Sequence, residues 1–488
     1  MRKVFFLLVL AFLLILCPSA KKITVEDQLV DFDVFKNVLI SKEGTLDLHV
    51  SADSIHAAMK KLELSLSREL SLIEQYKNYT STLALIECGH TQIHPTRELF
   101  REWLAERNSL PIDYYLQGKK LYAGKLTSED IALVNENKPK SERKKKIAEG
   151  SEIISIDSLT VPQMMQQISP LLSSDENGMD FKYFQASELF EFYRHLSQPF
   201  TKDSIEVSFL KGKDTVQLYF LTGTAPVYSI NARIQNAATD YKATESDFGK
   251  FKIINSKYAY FRFKSFKVSA GKYYELFLER SFQKIRTRGL DKVIIDLRGN
   301  TGGVMQYSLM RYFAGKGIYL GRYVIQKPKS GKTDKHIRKW NMDYRRHKHA
   351  SKIQKRLRAQ QKFNNGEVRT REIDPEKVYN GQIVIITDEG TFSSAAILTC
   401  QLKTLCNAKI VGRPAGGSFY HGNAGTLRVK LPHSKFKLFV NPNTFYSHLP
   451  LAENPSLIKQ PDYLIEPPYL EPKKMDNYYI QRAMKAFQ

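Results

Sequence analysis

Ile383-Val384-Ile385-Ile386-Thr387-Asp388-Glu389-Gly390-Thr391-Phe392-Ser393-Ser394-Ala395-Ala396 is the stretch on which the reading of this chain turns. A β-branched apolar run ends in a short polar turn and passes into Ala395 to Leu405, apolar and without turn residues, as expected of a buried strand feeding a helix. A hydroxyl at such a junction lies beside the first helical amides, which have no partner inside the helix and stabilise an anion forming next to them. Ser393 is therefore a candidate nucleophile. Serine is also the commonest helix N-cap, so this junction alone reads equally well as ordinary capping.

A second segment shifts the balance. Val293-Ile294-Ile295-Asp296-Leu297-Arg298-Gly299-Asn300-Thr301-Gly302-Gly303 is another buried-type strand, and it runs into a glycine turn. Paired glycines let backbone approach a carbonyl closely, and an amide of Gly302 or Gly303 together with that of Ser394 would make a two-donor oxyanion hole. Taken singly, Gly302-Gly303 is an ordinary tight turn. Two strand ends with exposed amides together favour acyl transfer.

The segments VIIDLRGNTGG (293–303), IVIITDEGTFSSA (383–395) and KIVGRPAGG (409–417) resemble, in order and separation, the C-terminal-processing, tail-specific and tricorn-core superfamily of serine peptidases. The resemblance spans roughly Tyr258 to Glu466. It implies an α/β catalytic domain with the ClpP/crotonase-like ββα core. In similar proteins the nucleophile lies three residues before a frequent glutamate in T-x-S-x-A-E; that position is Ala396 here, so the register selects Ser393 over Ser394, and Gly412-Arg413-Pro414 supports the same register. The missing glutamate is a departure from the family pattern. The processing branch draws its base from a lysine that would fall near Ser418, and no lysine is there, so the base must come from elsewhere.

Glu87-Cys88-Gly89-His90-Thr91 resembles the G-H-T or G-S-H element with which tricorn-like members supply a catalytic histidine. A neutral imidazole can shuttle the serine proton to the leaving amine, which makes His90 the preferred base. Otherwise His90 is a turn histidine. His421, in the loop past the vacant lysine position, is the second candidate, whereas His94, His433 and His448 lack supporting context and read as surface residues. The resemblance implies a third member in the terminal region, and Glu453, ahead of the Pro461-Asp462 turn, fills that place. By the same resemblance Asp296 and Arg298 are architectural rather than catalytic.

The 488 residues, 42% hydrophobic and 11% aromatic, exceed one core and suffice to bury two or three, which excludes a disordered chain. Met1-Arg2-Lys3, the apolar run Val4 to Leu16, and Cys17-Pro18-Ser19-Ala20 read as a secretory signal peptide over 1–20, and Cys17 offers lipidation as an alternative ending. Export to the periplasm, the medium or a lipid anchor follows. From residue 21 to 112 the apolar spacing is helical, with Leu62, Leu64, Leu66 and Leu70 expected near one face. From 113 to 224 short strands surround a helix; Gly150 to Asp157 resembles a PDZ element, and Asp175 to Pro199 reads as a helical insertion. Residues 225–488 alternate strand and helix, the signature of a layered α/β domain, with a basic insertion at about 328–374.

After signal removal Cys88, Cys400 and Cys406 remain, an odd number for a disulfide framework, and no C-x-x-C or H-E-x-x-H spacing points to zinc. No cofactor is implied. The net charge of +24 is uneven: between Arg338 and Lys362 ten Lys or Arg stand against the single Asp343. Such a run is usually a solvated face, and an exported protein would use it toward an anionic surface or acidic substrate regions rather than a specific nucleic acid. The expected partner is a peptide or protein substrate; homo-oligomerisation is common among relatives and no motif decides it. Three functions therefore stand at this stage: an exported serine endopeptidase, a peptide-binding scaffold of the same fold without turnover, and an anion-surface adhesin.

Overall fold

The computed structural model describes residues 23–106, 110, 112–124, 148–222, 249–266, 271–303, 306–325, 367–371, 373–423, 426–447, 460–466, 468 and 472–488. The signal segment with Cys17, the basic insertion Arg338 to Lys362, His448 and Glu453 lie outside them. None of the described helices is long and apolar enough to cross a membrane.

The N-terminal region is helical as expected, with helices Val25–Lys42, Ala52–Ser65, Leu72–Ala84 and Arg97–Glu106. Thr24, Ser51 and Ser71 cap the first three by accepting from the third helical amide, and Ser71 with Glu74 closes a capping box. The expected leucine face is corrected. Leu62, Leu66 and Leu70 are buried, but Leu64 is 65% exposed, because residues two apart on a helix point about 200° apart and the helix ends at Ser65. This helical core is not closed by its own residues. It takes Phe192 and Leu196 from helix Phe190–Ser197, and Val429, Leu431, Phe436, Leu438 and Val440 from the antiparallel hairpin Leu427–Lys430 and Lys437–Val440. The strand Gln92–His94 pairs with Lys437–Val440, setting Ile93 opposite Leu438.

Five strands form an antiparallel sheet in the order 114–117, 120–123, 152–156, 204–211, 214–221, with Leu159–Thr160 beside the third strand. Helix Val161–Ile168 lays Val161, Met164, Met165 and Ile168 on it. The expected insertion appears as helices Met179–Glu188 and Phe190–Ser197.

The third unit is the central sheet, ordered Tyr463–Leu464, Lys409–Gly412, Gln382–Thr387, Lys292–Asp296, Tyr258–Arg262, Lys250–Ile254. All neighbours are parallel except the last pair. Helices Gly271–Thr287, Gln306–Ala314 and Ser394–Cys406 cover one face, against Val293, Ile295, Ile383 and Ile385. Helix Pro472–Lys485 covers the other with Tyr479, Ile480 and Ala483, against Ile294, Val384 and Ile386. Burial on both faces explains why the two diagnostic strands read as unbroken apolar runs. The glycine turn and the turn ending in Ser393 leave the carboxyl ends of two adjacent strands, Lys292–Asp296 and Gln382–Thr387.

Candidate active site

The two turns are laced together. Leu297 donates its amide to the Ile386 carbonyl (2.9 Å), Phe392 to the Asn300 carbonyl (3.0 Å) and Gly299 to Asp388 Oδ1 (2.7 Å), while Thr391 Oγ1 donates to the Leu297 carbonyl (3.0 Å). Gly302, at φ +94°, lies so close to the turn ending in Ser393 that an added Cβ would stand 2.7 Å from Ser393 Cβ and 3.0 Å from the Ser394 amide nitrogen. Only glycine fits both that backbone and that space.

Ser393 ends the turn at φ 55°, ψ −128°, directly before helix Ser394–Cys406. A serine in this sparsely populated region holds strain that the surrounding structure must impose. Its side chain makes no capping bond. Instead Oγ is hydrogen-bonded to His90 Nε2 at 2.9 Å, in a residue only 9% exposed. The capping alternative thus fails on geometry. Ser394 lies in the first helical turn, with its Oγ buried and without a hydrogen-bond partner. Ala396, where relatives often carry glutamate, is fully buried against Cys400, Ala415 and Phe419. That apolar pocket has no place for a carboxylate.

His90 follows a turn that Gly89 packs on Phe392, where a Cβ would meet the ring at 2.7 Å. The imidazole leans on Phe392 (ring centroids 4.7 Å), which in turn stacks on Phe181 at 3.8 Å. On its far side His90 Nδ1 is 3.8 Å from Asp175 Oδ1. Asp175 is 1% exposed and accepts the Gly89 amide (2.8 Å) and the Ser418 amide (3.2 Å). Burial opposes charge on both groups, but each supports the other. Against its desolvation, hydrogen bonding and charge from Asp175, then from Cys88, push His90 up to about 10. Asp175 is desolvated too, yet His90 holds it well below the usual carboxylate range.

Asp175 is not singled out by the sequence reading, which places it only as the first residue of a helical insertion. Its signal is weak and local: Ser173-Ser174-Asp175-Glu176-Asn177-Gly178 has turn composition, and Glu176 and Asn177 both adopt positive φ. Ser418, at the vacant lysine position, proves to hold the carboxylate side of the site. Its amide bonds Asp175 and its Oγ donates to Glu176 Oε1 at 2.8 Å.

Of the expected oxyanion donors, Gly302 is engaged elsewhere, because its amide donates to Asn300 Oδ1 at 2.9 Å. Gly303 forms a bridge with Phe266 in which Phe266 donates to the Gly302 carbonyl (2.9 Å). Gly417 presses on Ser393 from the other side; a Cβ there would stand 2.6 Å from the Ser393 amide nitrogen.

The other histidines are drawn elsewhere. His421, the second candidate base, is buried beside His49 (ring centroids 5.3 Å), with Nε2 3.6 Å from Glu176 Oε1, and burial keeps its pKa below the ordinary imidazole value. His94 leans on the Phe439 ring (centroids 4.4 Å) and His433 pairs with Asp27. Asp296 is fully buried and accepts from Tyr260 Oη (2.8 Å) and Arg298 Nη2 (2.7 Å), an architectural arrangement. All three described cysteines are free. Cys88, His90 and Asp175 bring one potential ligand atom each within 4.8 Å of one another. With Nε2 bound to Ser393 and Nδ1 facing Asp175, the arrangement suits proton transfer.

A cavity of about 470 Å³ opens beside His90, with Phe392, Phe181, Phe184, Leu172 and Thr301 among its walls. It is large and apolar enough for a bulky side chain.

Residues 257–433 match Peptidase family S41. No curated protein matches the chain. Among solved structures, a CPAF mutant is similar with a TM-score of 0.59 at 11% identity, covering 95% of this chain and 96% of that one. Mature CPAF complexed with lactacystin gives 0.56 at 11%, covering 95% and 97%. Mature CPAF gives 0.52 at 11%, covering 90% and 92%. Likeness at that identity speaks for the fold, and it extends beyond the segment that the family match spans. Residues 257–433 are thus a segment similar to peptidase family S41, set within a chain whose fold as a whole is like that of CPAF.

Proposed function

We propose that the chain is an exported serine endopeptidase whose machinery is Ser393, His90 and Asp175. Ser393 Oγ attacks the peptide carbonyl carbon as His90 Nε2 takes its proton. Asp175 favours the imidazolium so formed, and His90 then returns the proton to the leaving amine. The Ser394 amide, at the helix start, and the Gly303 amide are the donors we assign to the oxyanion. The cavity beside His90 would receive an apolar or aromatic substrate side chain. The observation that carries this reading is the 2.9 Å bond between His90 Nε2 and a Ser393 held at φ 55° without a capping role.

A serine-directed fluorophosphonate probe tests it. Labelling should vanish in Ser393→Ala and persist in Ser394→Ala, in parallel with cleavage of an unfolded protein. Labelling that follows Ser394, or none in the unmodified chain, would favour the scaffold reading. Export through residues 1–20 belongs to the same proposal, and deleting that segment should retain the protein inside the cell that makes it.

A further inference from the structure

A second cavity, of about 1080 Å³, lies away from Ser393, at the outer end of the central sheet. The outermost strand Lys250–Ile254 and its neighbour Tyr258–Arg262 line it with Lys250, Lys252 and Arg262; Lys264 follows them, and helix Gly271–Thr287 adds Arg280 and Lys284. The one acid in the lining, Asp476, is bound by Arg298 Nη2 at 2.7 Å. Two of the cations are committed: Arg262 donates to Asp296 Oδ1 (3.2 Å) and the Arg298 carbonyl (2.6 Å), and Lys252 lies over the Tyr260 ring at 4.9 Å. Lys250, Lys264, Arg280 and Lys284 are exposed and make no ion pair among the described residues. Like charges lining one concavity focus a field that only an anionic occupant relieves.

The backbone narrows the kind of anion. Lys250–Ile254 ends its sheet and pairs only with Tyr258–Arg262 among the described strands, so its outer edge can accept an added strand. Between the cations stand apolar groups, including Tyr273 at 57% and Leu276 at 41% exposure. An extended polypeptide with alternating carboxylates and apolar side chains satisfies edge, charges and walls together. A nucleic acid strand would use the charges and rings but has no peptide groups to continue the ladder. The position matters as well. Arg262, Asp296 and Thr387 end three adjacent parallel strands, and the catalytic turns leave from the latter two, so this groove opens on the same rim of the sheet as Ser393.

We propose that the groove is an exosite for an acidic, extended segment of protein substrates, engaged outside the bond that is cut. The word substrate rests on the peptidase reading above; the binding itself does not. The test uses the full chain as Ser393→Ala, a labelled ten-residue peptide alternating Glu and Val, and fluorescence anisotropy. The peptide should bind, salt should weaken binding, and the combined Lys250→Glu, Arg280→Glu, Lys284→Glu variant should bind at least about tenfold more weakly at an unchanged melting temperature. If that variant melts early, Lys250→Gln with Lys284→Gln should still show a clear loss. In the active chain, the preference for an acidic-tailed substrate over its tail-less counterpart should fall by a similar factor. Absent peptide binding, equal binding by the variants, or tighter binding of a single-stranded oligonucleotide of equal charge overturns the proposal. Peptide binding in a chain that fluorophosphonate never labels would uphold the groove while sinking the peptidase reading.

Discussion

At the scale of single residues, the site depends on one glycine and one ion pair. Gly302→Ala places a methyl 2.7 Å from Ser393 Cβ on a backbone at φ +94°, which a side chain rarely adopts. Displacing the nucleophile turn by a fraction of an ångström should lower kcat about 100-fold, with a smaller effect on melting temperature, measurable by steady-state kinetics and thermal unfolding. The ion pair sets the pH dependence. In the proposed mechanism only neutral His90 accepts the serine proton, and its pKa is raised to about 10, so kcat/KM should climb through the neutral range and level off near that value. Asp175→Asn removes the supporting charge; the acid limb should move down toward the ordinary imidazole range while the plateau drops at least about 100-fold. Stability follows the same signs. The raised His90 pKa contributes stability fully below its unfolded value of 6.5, and this is lost as pH rises through about 10. The lowered Asp175 pKa contributes stability above the ordinary carboxylate range that is lost as pH falls below it.

At the scale of elements, the turn carrying His90 is held by a buried acid far from the chemistry. Glu43, fully buried just past the first helix, accepts Thr45 Oγ1 (2.6 Å), the Thr45 amide (3.1 Å), Thr91 Oγ1 (2.7 Å) and the Asn441 amide (2.9 Å). Burial raises its pKa despite those donors. Glu43→Ala leaves them buried without an acceptor and should cost about 3 kcal/mol of stability. Because Thr91 adjoins His90, kcat should fall as well, readable in a chevron or melt beside initial rates. This contrast shows what was legible in the sequence. Ser393 and the glycine turn can be read because strand, turn and helix follow each other in one short stretch, and His90 because its flanking Gly89 and Thr91 carry a local motif. Asp175 and Glu43 act through contacts that burial creates, 86 residues from Gly89 in one case and 398 from Asn441 in the other, and no local pattern encodes those. The role expected of the Gly302 amide fails for a related reason: two residues before it, the Asn300 side chain competes for the donor, and composition does not tell which way that side chain turns.

At the scale of the molecule, the active site exists only where distant parts of the chain close one core. Val429, Leu431, Phe436, Leu438 and Val440 of the C-terminal hairpin are buried against Phe35, Tyr76 and Tyr79 of the N-terminal helices, with Tyr76 and Tyr79 both edge-on to Phe436. Strand Gln92–His94 is zipped to the same hairpin, so His90 reaches Ser393 because that core has formed. The family match over residues 257–433 therefore covers Ser393 but not His90. A fragment of residues 249–488 should be insoluble or bind a hydrophobic dye through the bared hairpin, and should resist fluorophosphonate labelling. Co-expressed with residues 21–222 it should regain both solubility and labelling, since the buried apolar face, once shared, favours association of the two pieces. Labelling of the 249–488 fragment by itself would show that Ser393 is activated without His90, and would overturn the placement of the base.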